Sequence, residues 1–200
     1  MQKIETLEAL EALYGKSSVA ATRKVVTRLT PLYRQWIMAS RFCVVSTVGP
    51  EGTDGSPRGD DGPVVQELDE SRLLLPDWRG NNRIDSLRNI LRDGRISCMF
   101  MVPGENVVMR VNGTAFLSNN DALLQRFEHK GKHPVAVIVI EIGEVYPQCP
   151  KSLLRSGLWG RDDGDQVPTL GELLEEATKG DIESKEWDAA FPERVKTTIW

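Results

Sequence analysis

The chain has 200 residues and a net charge of -4, with 25 Lys and Arg set against 29 Asp and Glu; this balance excludes a general nucleic-acid binder and leaves room only for a local basic pocket. A hydrophobic content of 40% with 27% charged residues describes an ordinary globular domain with a sizeable core, and no apolar run reaches membrane-spanning length. Cys43, Cys98 and Cys149 are odd in number and form no CxxC pair, which fits a reducing cytoplasm rather than a disulfide framework, and the acidic, amphipathic N-terminus is unlike a signal peptide.

In chain order, Leu7, Leu10, Leu13 and Tyr14 recur at helical spacing and Gly15 ends the run. A second helical segment is expected from Ser18 to about Ser40, with Pro31 as a kink or a break. Strand character begins after Arg41 with FCVVSTV, and GPEGTDG, with three glycines and a proline, reads as a loop or hairpin turn. A second strand spans SPRGD to VVQEL, irregular at Gly59, Gly62 and Pro63, where a ligand can approach the backbone; Arg58 sits in that irregular part. Ser71 to Pro76 is a third, short apolar strand.

The stretch after it, PDWRGNNRIDSLRNIL, turns and enters an amphipathic helix, with Asn82 expected as the helix cap together with Asp85. Five arginines and two aspartates between positions 79 and 95 give a local charge of +3. A helix start already presents free N–H groups, so Arg83 and Ser86 in the first turn can complete a phosphate site; the same residues also describe a solvated helix with ordinary surface arginines.

ISCMFMV, VVMRVNGTAFLS and HPVAVIVIEIGEVYPQ supply three further strands. Along the second of these, Arg110 and Asn112 share one face, which a polar outer surface would also explain. A helix from Asp121 to about Lys130, capped by Asn119, precedes the last strand, and His129 and His133 beside it lack metal-ligand spacing. In CPKSLLRSGLW, Lys151, Arg155 and Trp159 are four apart; on a helix they form one face able to hold a phosphate and stack on a flat ring. TLGELLEEATKG is a short helix, and the tail from Asp181 carries Trp187, Phe191 and Trp200 at unassigned spacing.

Six strands joined mostly by short turns predict an antiparallel barrel, because hairpin-length connections cannot join parallel strands. One domain over 1–200 is expected, with N-terminal helices at 1–40, a barrel core at 41–148 and a helical segment at 149–200. GxSxG, HExxH, P-loop and GxGxxG patterns are absent, so an enzyme of this sequence would depend on a cofactor.

The ordered set SPRGD, LLLPDWRGNNRIDSLRNIL, MVPG, VVMRVNGTAFLS and CPKSLLRSGLW closely resembles the pyridoxamine 5'-phosphate oxidase-like proteins. These are FMN-binding split barrels, and the likeness is to the branch labelled probable FMN-dependent enzymes, over roughly residues 25 to 175. The resemblance implies a six-stranded antiparallel Greek-key split β-barrel with flanking helices, and a homodimer with FMN at its interface. Residue by residue, it implies that Arg58, with Gly59 beside it, reaches the flavin phosphate, and that Pro76 and Asp77 run beside the ribityl chain and ring. Asn82, Arg83 and Ser86 match the phosphate-holding helix start. Arg110 and Asn112 match a strand looking toward the flavin. Lys151, Ser152, Arg155 and Trp159 match a segment approaching the flavin from the partner subunit. No metal is implied. The function implied is an FMN-dependent oxidoreductase; a flavin-binding or sensing protein without turnover, and a barrel using a deazaflavin or haem, are the alternatives. Tyr146-Pro147-Gln148 stands where an aromatic-aromatic-His is common in that branch, Trp78 stands where a polar residue is expected, and the tail lacks the vitamin-specific oxidase signature.

Overall fold

Residues 42–49 and 95–101 alternate in burial with a period of two, which marks the faces these strands turn to the core. In the computed structural model, which describes residues 1–199, seven strands form one sheet: β1 (Phe42–Gly49), β2 (Gly52–Gly59), β3 (Gln66–Asp69), β4 (Arg72–Asp77), β5 (Arg95–Met101), β6 (Val108–Ser118) and β7 (Ala136–Gln148). Their order is β2-β1-β5-β6-β7-β4-β3, and every neighbouring pair is antiparallel. Helices α1 (Leu7–Tyr14), α2 (Val19–Arg23) and α3 (Pro31–Met38) precede the sheet. Helix α4 (Asp85–Arg92) follows β4, α5 (Asp121–Leu124) follows β6, and α6 (Lys151–Ser156), α7 (Leu170–Ala177) and α8 (Ser184–Thr198) follow β7. Trp200, one of the tail aromatics noted above, lies outside the described residues.

The antiparallel barrel expected from the short connections is present, with seven strands in place of six. The extra strand arises because the expected second strand divides into β2 and β3, and β2 extends back into the glycine-rich stretch expected as a loop or hairpin turn. Thr53 to Gly59 pair residue by residue with Val48 to Phe42, so only Pro50 and Glu51 turn. A ladder against a long neighbour outweighs the poor strand preference of Gly and Asp. The expected single strand through VVQEL is interrupted around Gly62 and Pro63 and restarts as β3 at Gln66.

The helix expected over 18–40 is also two. Pro31 occupies the first turn of α3, where its missing N–H costs nothing, and the Thr30 hydroxyl accepts from the Tyr33 N–H at 3.3 Å. The helix expected over 121–130 is one turn of α5 and a 3-10 turn at Gln125–Phe127. Its cap is Asn120 rather than Asn119, accepting from the Ala122 N–H at 2.9 Å.

Cys43, Val45 and Thr47 of β1, Ile96, Cys98 and Phe100 of β5, and Met109 and Val111 of β6 fill the barrel. Ile37 of α3 and Ile90 of α4 close it, and Asn89 Nδ2 fastens α4 to β1 through Thr47 Oγ1 at 3.2 Å. Strand β4 and the first part of β7, residues 137–140, are buried on both faces. Leu73, Leu75, Ile138 and Ile140 join the barrel core, while Leu74, Val137 and Val139 pack with Phe127 in a second cluster. Double burial explains why these two strands read as unbroken apolar runs.

Two consequences are measurable. At the β6–β7 bulge a Cβ on Gly113 would lie 1.9 Å from the Glu141 carbonyl oxygen, whereas one on Gly55 meets nothing within 4 Å. Gly113→Ala is therefore expected to cost about 1–3 kcal/mol in urea denaturation, and Gly55→Ala well under about 1 kcal/mol; equal losses would contradict the bulge. Burial pushes the Cys43 thiol up to about 12, against a smaller lowering by the Arg58 charge, and burial also raises Cys98 well above its usual value. Both stay protonated at pH 8, so iodoacetamide should modify the exposed Cys149 alone in the native protein. Unfolding in urea should release all three thiols, and native labelling of more than one would refute the buried placement of Cys43 and Cys98.

Candidate functional site

Strand β2 alternates Asp54, Ser56 and Arg58 on its inward side with exposed Gly55 and Pro57. Arg58 stands opposite Cys43 in register and therefore points to the barrel interior. There its Nη1 donates to Asp77 Oδ1 at the end of β4, with the two side chains only 21% and 13% exposed. The sheet is thus curled far enough for its β2 edge to meet the second strand from the opposite edge. Arg58 Nε is buried and has no hydrogen-bond partner among the described residues.

The turn after β4 is held by polar side chains. Trp78 Nε1 donates to Asp60 Oδ2 at 3.4 Å, and burial pushes the Asp60 carboxyl above its ordinary value. The Asn81 side chain accepts from the Arg83 N–H at 3.0 Å. Asn82 does not cap α4: its backbone is left-handed, with φ 59, and the helix begins at Asp85 behind Ile84, which makes no capping side-chain bond. Asn tolerates this conformation, so Asn82 turns the chain three residues before the helix instead of closing its end.

Ser86, in the first turn of α4, is buried, and its hydroxyl donates to Asp54. Arg83 is 79% exposed; its Nε donates to Asp85 at 2.7 Å, and Arg88 adds a longer contact of 3.4 Å. The Arg83 guanidinium is the main reason the Asp85 carboxyl sits below its ordinary range. Arg92 pairs with Glu51 and Arg95 with Asp93, each at 2.6 Å. Asp85 and Asp93 are already counted in the +3 excess read from the sequence, and Glu51 of the β1–β2 turn, on Arg92, lowers it to +2. Such exposed pairs add little to stability, because solvent screens them.

A cleft of about 380 Å³ opens between β2, the 78–84 turn and the start of β7, and its wall includes Arg58, Asp77, Arg79, Asn82 and Arg83. Trp78, Ile84, Leu87, Val135 and Ala136 supply its apolar side. Pro76, buried in β4, and Gly59, at the end of β2, line a smaller space of about 180 Å³ that also touches Arg58. Six residues named from the sequence, Arg58, Gly59, Pro76, Asp77, Asn82 and Arg83, thus line these two spaces, and Ser86 reaches β2 through Asp54 outside both.

The remaining six lie elsewhere in the chain. Arg110 and Asn112 are on the opposite, outward face of β6, Arg110 with its guanidinium 5.4 Å from the Tyr146 ring centre and its Nε buried without a partner among the described residues. Asn112 accepts from Ser97 Oγ at 2.8 Å and donates to Glu144 at 3.2 Å. Lys151, Ser152 and Arg155 are exposed on α6. The single face expected for Lys151, Arg155 and Trp159 is broken, because α6 ends at Ser156 on the left-handed Gly157. Trp159 falls in the next 3-10 turn, where its Nε1 donates to the Glu105 carbonyl at 2.8 Å.

Sequence reasoning missed Asp54, the acceptor for Ser86. The signal was present as the spacing of Asp54, Ser56 and Arg58 by two, hidden by the glycine and proline between them. Among the described residues no group of three or more His, Cys, Asp or Glu could hold a metal ion, and no helix is long and apolar enough to cross a membrane.

Seven antiparallel strands curled until the β2 edge meets β4, next to the opposite edge, across an ion pair define a split barrel, and comparison with known proteins agrees. The family model described as pyridoxamine 5'-phosphate oxidase matches residues 29–149, a span that holds every strand. HupZ of Group A Streptococcus, as a variant carrying one substitution, superposes with a TM-score of 0.50 at 18% identity over 60% of this chain and 98% of its own. A putative pyridoxamine 5'-phosphate oxidase from Lactobacillus delbrueckii does so with a TM-score of 0.47 at 21% identity, over 60% and 95%. No curated protein matches the chain. The chain belongs to the pyridoxamine 5'-phosphate oxidase family.

Removing Asp77 would leave Arg58 half-buried without its counter-charge. Asp77→Ala should destabilise the fold by roughly 2–3 kcal/mol in denaturant melts. The double variant Arg58→Met with Asp77→Ala should recover a large part of that loss, and a double variant as unstable as the sum of the singles would show that the pair is not coupled.

Proposed function

We propose that this protein is an FMN-dependent oxidoreductase that works as a homodimer, with the flavin phosphate held in the cleft between Arg58 and Arg83. The observation that carries this reading is the cleft itself, which lies within the family-matched span and has Arg58, Arg79 and Arg83 against Asp77 as the charged groups of its wall. Three positive charges and one negative leave +2, which complements a phosphate monoester of about -1.5 to -2 at neutral pH. The buried, unpartnered Nε of Arg58 is a donor that such an anion would satisfy. The exposed Arg83 keeps its terminal nitrogens for the same anion, since its ion pair with Asp85 runs through Nε.

The residues of the wall divide the work. Arg58 and Arg83 bind, Asp77 fixes the orientation of Arg58 by accepting from Nη1, and the left-handed Asn82 sets where Arg83 leaves the turn. Leu87, Val135 and the Trp78 ring offer an apolar surface that excludes water from a flat ring system. When bound, FMN supplies the acceptance and return of a hydride or electrons, and the chain contributes binding, orientation and positive charge. Two observations support a dimer: Phe42 and Met99 are each 37% exposed on the outward face of β1 and β5, and Arg110, with its unpartnered buried Nε, lies on the outward face of β6.

Absorbance during titration with FMN tests the cofactor. Saturable flavin bands with Arg83→Glu weakened at least tenfold are expected, because one charge-assisted contact contributes roughly 1.5–3 kcal/mol; full retention of FMN by Arg83→Glu would move the phosphate elsewhere. Light scattering on a sizing column is expected to give twice the protomer mass. Bound flavin that no nicotinamide donor reduces would leave a binding protein in place of an enzyme.

A further inference from the structure

A second cavity, about 840 Å³, lies between α8 and the turn after β4, and α8 falls outside the family-matched span of 29–149. Its charged wall is one-sided: Arg79, Lys132 and Arg194 line it with no Asp or Glu among the described lining residues, although the whole chain carries -4. Its aromatic wall is Trp78, Trp187 and Phe191. Arg194 lies flat on Trp187, with its guanidinium carbon 3.8 Å from the ring centre, and is 5.8 Å from that of Phe191. Stacking fixes the plane of the guanidinium and leaves its edge donors for an acceptor. One of those donors, Arg194 Nη2, is buried with no partner among the described residues, and so is Trp187 Nε1. Two buried donors without acceptors are costly, and a carboxylate satisfies both kinds at once.

We propose that this cavity binds a flat aromatic carboxylate, its ring against Trp187 and Phe191 and its charge on Arg194 and Arg79. The cavity shares Trp78, Arg79, Gly80 and Asn81 with the proposed flavin cleft. On the reading of that cleft as the FMN site, an aromatic acid is then the class of substrate presented to the cofactor, across a wall one turn thick. The two statements separate experimentally, because the donors that define this cavity on α8 are not part of the flavin cleft.

The test is isothermal titration of the full chain with 2-naphthoate and with its neutral counterpart 2-naphthamide, without and with saturating FMN. One naphthoate per protomer is expected, with the amide at least tenfold weaker. Arg194→Gln and Arg79→Gln should each weaken naphthoate at least tenfold and change the amide less than threefold. Arg79 is exposed in a turn, so its variant keeps the test valid where Arg194→Gln disturbs α8, as circular dichroism would reveal. Equal binding of acid and amide, no binding of either, or undiminished binding by a folded Arg79→Gln would overturn the proposal. Loss of naphthoate binding on adding FMN would also overturn it, since the two sites would then be one. Charge-selective binding of naphthoate to a protein that ignores FMN would sustain this site and refute the flavin cleft.

Discussion

The contact on which the rest of the molecule depends is the ion pair between Arg58 and Asp77. It joins β2, at one edge of the sheet, to β4, next to the other edge, and so sets how far the sheet closes. A half-buried pair of this kind is weak as a source of stability, since desolvation offsets most of its attraction, but it is strict about geometry. With β2 and β4 fixed relative to each other, the turn leaving β4 has only one side on which to run. Trp78, Asn82 and Arg83 are consequently brought to the same cleft that Arg58 lines.

Charge is arranged on the same principle. An acidic chain concentrates arginines on α4 and then neutralises several of them locally, Arg83 and Arg88 on Asp85, Arg92 on Glu51 and Arg95 on Asp93. What remains for an anion is the buried Nε of Arg58, where a contact acts more strongly than an exposed pair does, beside the exposed Arg79 and Arg83. The turn at 78–81 is common to two cavities of different character, one inside the family-matched span and one completed by α8. Variation outside that span can therefore alter the second cavity without touching Arg58 or Asp77.

Much of the fold was legible from local pattern. The alternation in β6 gave the face shared by Arg110 and Asn112, which the structure turns outward, and the apolar runs in β4 and at the start of β7 marked strands that turned out to be covered on both sides. The errors came where a partner at long range decides. Gly52 to Gly55 became strand because β1 offered them a ladder. Asn82 lost the capping role because its backbone turned left-handed earlier in the chain. Arg155 and Trp159 parted because Gly157 ends α6 between them. At the site, the spacing that displayed Arg83 and Ser86 could not display Asp54, which lies 32 residues from Ser86 in the chain.

The sequence by itself determined the strand-rich antiparallel class, the apolar composition of the core and the basic helix start, because periodicity, turn residues and local charge act over a few residues. It determined as well that no familiar nucleophile or metal motif was present. Only the tertiary structure decided which arginine is held and which is available. Whether a guanidinium points at Asp77, at Asp85 or at an open cleft depends on strands far apart in sequence meeting at one seam. The cavity under α8 was likewise decided there, since Trp187, Phe191 and Arg194 acquire a meaning only when the helix that carries them lies beside Arg79.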